Sequence, residues 1–78
     1  MKIKTKLHNI LKKYEEGKIS ATQMVEVKEH ATLNDLTRYF SIPESMGIIY
    51  LVNDFPRDKE YQLQEGDIVK LFSLICGG

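Results

Sequence analysis

The sequence predicts an α+β domain in which one main helix packs across a mixed sheet of four to five strands. Three observations carry this reading. Alternating apolar and polar residues mark strands near both ends of the chain, one well-capped helical period lies between them, and 78 residues hold a single core at most.

The first element is KIKTKLH, residues 2–8. Ile3, Thr5 and Leu7 fall on one side and Lys2, Lys4 and Lys6 on the other, the period of a half-buried strand. NILKKYEEGK follows, with Ile10, Leu11 and Tyr14 at helical spacing, and predicts one or two turns stopped at Gly17. TQMVEVKEH returns to alternation, setting Val25 and Val27 against Glu26 and Lys28, as the antiparallel partner of the first strand. In ATLNDLTRYFSIP the period changes to helical. Thr32 is placed to cap, Asp35 stands in capping-box position, and Leu33, Leu36, Tyr39 and Phe40 are assigned to the core face, with Pro43 as the stop.

GIIYLVN is a short apolar strand that Asn53-Asp54 turns. FPRDKEYQLQEGD reads as loop, with Pro56 inside it and a brief extended piece at Tyr61 to Leu63. Gly66-Asp67 then turns the chain into IVKLFSLI, the closing strand. Placing Val69 and Leu71 in the core sends Ile68, Lys70, Phe72 and Leu74 outward; the opposite parity would bury Lys70. Strand, strand, helix, strand, minor strand, strand is the order of the ubiquitin type, the β-grasp. That fold sets the first and last strands side by side and parallel. Residues 1–75 are expected to form the single domain, and 76–78 a flexible Gly-Gly tail.

Composition narrows the functions. Eleven basic residues balance eleven acidic ones, which argues against nucleic acid as a partner. One cysteine, Cys76, excludes an internal disulfide and a multi-cysteine metal site, and points to a reducing, cytoplasmic setting. No window is long and apolar enough to span a membrane, and MKIKTKLHNI does not resemble a secretory signal. No phosphate-cradling glycine loop occurs. No bound cofactor and no enzymatic activity of its own are expected.

The tail carries the chemistry. Glycines lack Cβ atoms, so Gly77-Gly78 can enter a channel that larger residues cannot, with Cys76 just ahead of them. A carboxylate resists nucleophilic attack until its oxygen becomes part of a good leaving group. Adenylation with ATP does that: sulfur then displaces AMP to give a thiocarboxylate, or a lysine amine does so to give an isopeptide. A separate ATP-using enzyme must supply the activation. The outward Phe72 and Leu74, continued by Ile75 and flanked by Lys4, Lys6 and Lys70, form a candidate docking patch for it.

VEVKEHATLNDLTRYFSIPE and GIIYLVNDFPRDKEYQLQEGDIVKLFSLICGG together resemble the MoaD/ThiS family of small β-grasp sulfur carriers. The resemblance rests on Thr32 with Leu36, Val52-Asn53, Pro56-Arg57-Asp58, Gly66-Asp67 and Gly77-Gly78, in that order. It implies that an E1-like enzyme adenylates Gly78 and that the resulting thiocarboxylate serves molybdopterin (or tungstopterin) or thiamine biosynthesis. The implied acceptor is a molybdopterin synthase large subunit or a thiazole synthase. The chain departs from the family at Asn53-Asp54, where Asn-Gly is common, at Ser73-Leu74, where pterin-type carriers often have prolines, and at Cys76, usually Ala or Gly. The subtype stays open.

The remaining polar residues read as structure or solvated surface. Cys76 is assigned as a tolerated small residue ahead of a persulfide or mixed-disulfide role. His8, His30 and Cys76 lack metal-ligand spacing, and Glu15-Glu16 and Asp58 with Glu60 read as loop charges. Two alternatives to the sulfur carrier stand: a ubiquitin-like modifier joined to lysines through Gly78, and a plain interaction module binding through Phe72 and Leu74.

Overall fold

The computed structural model describes residues 1–15 and 23–74. The strands are β1 (Lys2–Leu7), β2 (Met24–Glu26), β3 (Ile48–Val52), β4 (Phe55–Arg57) and β5 (Ile68–Ser73), and the α-helix is α1 (Leu33–Tyr39). Short 3-10 segments cover Asn9–Glu15 and Glu44–Met46. The sheet order is β2-β1-β5-β3-β4. β1 and β5 run parallel at the centre, Lys4 beside Ile68 through Leu7 beside Leu71, and the other pairs are antiparallel. This is the β-grasp arrangement predicted from the element order.

The core lies between the sheet and α1. Ile3, Thr5 and Leu7 point inward from β1, Val69 and Leu71 from β5, and Tyr50 and Val52 from β3. α1 answers with Leu33, Leu36 and Thr37, and Phe40 follows at its C-terminal end. Truncating a fully buried leucine such as Leu36 to alanine costs about 2–5 kcal/mol in such a core. Leu11 seals one end, and Leu63 another.

The helix begins where its capping box predicts. Thr32 Oγ1 accepts from the Asp35 N–H at 3.2 Å, and Asp35 Oδ2 accepts from the Thr32 N–H at 2.9 Å. It ends at Tyr39, ahead of Pro43, with Ser41 in the left-handed region at φ 59°. Tyr39 corrects the expected core face: it is 44% exposed. At 3.6 residues per turn it lies about 120° from Leu33, and Thr37 fills the inward position instead. The Thr37 hydroxyl is satisfied there, donating to the Leu33 carbonyl at 3.0 Å and sharing a 2.6 Å hydrogen bond with the Tyr50 hydroxyl.

The segment after β3 also departs from expectation. Phe55–Arg57 is an edge strand, not loop, because Asn53 and Asp54 both take left-handed backbone angles, φ 52° and 71°. Two such residues close a two-residue hairpin, which folds Phe55 back beside Val52. Pro56 is tolerated because β4 is the sheet's edge. The stretch expected as the minor strand, Tyr61 to Leu63, makes an isolated bridge between Gln62 and Thr32. Its Leu63 N–H donates to the Ala31 carbonyl at 2.7 Å, which ties it to the entry of α1 rather than to the sheet. β2 and β5 are shorter than read, and the turns expected in NILKKYEEGK form the 3-10 segment Asn9–Glu15; Gly17 lies outside the described residues.

Candidate functional site

The side of the sheet away from α1 presents rows of side chains, one of them Lys4 beside Ile68. Register sets Lys6, Lys70, Leu51 and Pro56 in one row across β1, β5, β3 and β4. The next row toward the chain's end holds Phe72 with Ile49. The parity predicted for β5 holds: Val69 and Leu71 are buried, Ile68 is exposed, and Lys70 and Phe72 are half-buried on the outer face. β3 adds Ile49, 40% exposed, and the half-buried Leu51. Their outward placement follows from the alternation that buries Tyr50 and Val52.

His8 completes the row of Phe72 and Ile49. Its backbone N–H donates to the Leu71 carbonyl at 2.9 Å, prolonging the β1–β5 pairing by one residue. The imidazole stacks on Phe72 with ring centroids 4.4 Å apart and planes 10° from parallel. Burial holds its pKa below the ordinary 6.5, and the charges of Lys6, Lys70 and Lys12 push the same way against Glu15. The sequence offers His8 only as a metal ligand, and its spacing from His30 and Cys76 does not suit one. The signal that finds it is its parity: it continues the lysine side of β1, and β1 borders β5.

Leu74 is the last described residue and is 61% exposed. Its N–H donates to the Gly47 carbonyl at 2.8 Å, anchoring the end of β5 to the start of β3. Gly47 sits at φ 64°, a backbone angle that favours glycine, and Leu74 Cδ1 lies beside it at ordinary contact distance from where a Cβ would stand. Lys70 is less available than the sequence suggests, since its Nζ lies 3.4 Å from Asp54 Oδ1 across the β3–β4 hairpin. Lys2, Lys4 and Lys6 are exposed along β1. The outer face thus combines Ile49, Leu51, Ile68 and Phe72 with a lysine margin, and Leu74 stands where the chain leaves it. Such a surface can seat a partner that offers apolar groups rimmed by carboxylates.

Ile75, Cys76, Gly77 and Gly78 lie outside the described residues. Among the described residues no group of three or more His, Cys, Asp or Glu side chains is placed to hold a metal ion. No helix among them is long and apolar enough to cross a membrane.

Comparison with known proteins places the chain. No curated protein matches it. Among solved structures, SAMP1 from Haloferax volcanii superposes with a TM-score of 0.67 at 19% identity, covering 100% of both chains. That likeness is one of fold. The sequence profile of the ThiS family matches residues 9–78, from the 3-10 segment through the final glycine. This 78-residue chain belongs to the ThiS family.

Proposed function

We propose that this protein is a sulfur carrier whose acyl group is the carboxylate of Gly78. An E1-like enzyme binds the outer sheet face through Phe72, Leu74, Ile75 and Lys70, and Cys76 and Gly77 thread the tail into its active site. The Gly78 carboxylate oxygen attacks the α-phosphorus of ATP, and pyrophosphate leaves. Hydrosulfide then adds to the acyl carbon and expels AMP with loss of a proton, leaving a thiocarboxylate. The thiocarboxylate donates its sulfur on a synthase subunit that holds a pterin or thiazole precursor. The protein supplies the acyl group and the docking face; its partners supply the catalysis, and ATP is their substrate.

The observation that carries this reading is the family match, which extends from Asn9 to Gly78 and so reaches the diglycine. The apolar outer face is the second support, since it ends at Leu74, four positions before Gly78. Pyrophosphate exchange tests it, using an E1-like enzyme known to adenylate another carrier of the family. Full-length chain should support exchange, and a chain lacking Gly77-Gly78 should not. Equal exchange from both chains, or none from either with an enzyme active on another carrier, rejects the proposal. High-molecular-weight conjugates that vanish with the same deletion would instead assign the protein as a modifier of lysines.

A further inference from the structure

We propose that His8 is the positioning residue of the docking face, holding the Phe72 ring in place while neutral and leaving it when protonated. This rests on the carrier reading only in naming what docks; the stack itself is a property of the chain. The two rings lie 4.4 Å apart and within 10° of parallel, so each fixes the tilt of the other. The backbone bond from His8 N–H to the Leu71 carbonyl holds the imidazole in register with the strand that carries Phe72.

The surroundings of His8 make that position sensitive to charge. Among the described residues, Nε2 is buried without a hydrogen-bond partner, and so is Oε1 of Glu15 at the end of the adjoining 3-10 segment. An imidazolium would carry an N–H on that same buried edge, where the described neighbours provide no acceptor. It would also bring a positive charge toward Lys6 on β1, Lys70 on β5 and Lys12 on the 3-10 segment, with Glu15 opposing them among the described residues. Asp54 neutralises part of Lys70. A positive charge gains something from the face of Phe72, yet burial and the three ammonium groups prevail, and the pKa is lowered. Glu15 is the charge that favours the imidazolium, so turning off Phe72 toward Glu15 is the movement that protonation would favour.

The sign of the pH effect follows. A histidine with a depressed pKa contributes stability that is fully present above about 6.5 and is lost as the pH falls through the lowered folded value. The stack, and with it the orientation of Phe72, follows the same window.

Proton NMR of the full chain between about pH 5 and 8 tests the proposal without any partner. His8 should titrate below 6.5, and the Phe72 ring resonances should move with the same midpoint. Glu15→Gln should lower that midpoint further. Phe72 resonances that stay still while His8 titrates would overturn the proposal. With the E1-like enzyme, KM for the chain should rise about three- to tenfold below the midpoint at constant kcat, and His8→Gln should flatten that profile. Identical pH profiles for wild type and His8→Gln would also overturn it. Failure of adenylation at every pH would reject the carrier reading and leave the NMR result to decide the stack.

Discussion

Asp67 Oδ1 accepts from Asn53 Nδ2 at 3.0 Å, which ties the β3–β4 hairpin to the residue that opens β5. The other oxygen of Asp67 accepts from the Tyr61 hydroxyl at 3.1 Å and the Gln64 N–H at 2.9 Å. Asn53 Oδ1 in turn accepts from the Ile68 N–H at 3.0 Å. One buried carboxylate therefore gathers three segments at the end of the sheet opposite the tail. Asp67→Ala leaves three donors without their acceptor and should cost about 2–4 kcal/mol in urea unfolding. The Tyr61 pKa lies above its ordinary 10, by burial first and by Asp67 second, so Asp67→Asn should lower it in ultraviolet titration. A tyrosine with a raised pKa contributes stability present below 10 and lost as the pH climbs through the folded value.

The capping box makes a second prediction. Thr32→Ala should cost about 1 kcal/mol in the same unfolding experiment and fray the first turn of α1. Hydrogen bonds from the Thr32 backbone and side chain hold the Asp35 carboxyl below its ordinary 3.8. That contribution is present above 3.8 and is lost as the pH falls through the depressed value. Stability of the Thr32→Ala variant should therefore depend less on pH in that acid window.

The hairpin predicts a gain. Asp54 holds φ 71°, a region that glycine enters without steric cost, and its ion pair with Lys70 is largely exposed and contributes little. Asp54→Gly removes a left-handed steric cost of about 1–2 kcal/mol but loosens the unfolded chain, and should stabilise the protein by up to about 1 kcal/mol. It should also leave Lys70 fully available to a partner.

These contrasts show what the sequence made legible. The Thr32 cap and the inward parity of Val69 and Leu71 were readable because both depend on residues within a few positions of one another. β4 was hidden because Phe55-Pro56-Arg57 has no alternation, and its pairing depends on the backbone angles of Asn53 and Asp54. Tyr39 departs from the core face that its apolar spacing predicts because Thr37 takes the inward position, its hydroxyl satisfied there by Tyr50. The His8–Phe72 stack joins residues 64 positions apart in the sequence (72 − 8), visible only once β1 and β5 are adjacent. The diglycine and the outward Phe72 were found directly, since composition and parity alone reveal them.

The docking face predicts a split in kinetic constants. Phe72→Ala removes the central aromatic group of the outer face and should raise KM for the chain about tenfold in adenylation, with kcat retained. Phe72 is half-buried against His8, so the variant should stay folded and lose about 1 kcal/mol or less. An unchanged KM would remove Phe72 from the interface.

The central claim is that the Gly78 carboxylate is the group a partner activates. Its most direct test is the intact mass of the chain after incubation with the E1-like enzyme, ATP and a sulfur donor. The account predicts a gain equal to exchange of one oxygen for one sulfur, located at Gly78 by fragmentation and absent without ATP. An unchanged mass, with an enzyme that converts another carrier in the same tube, would contradict it.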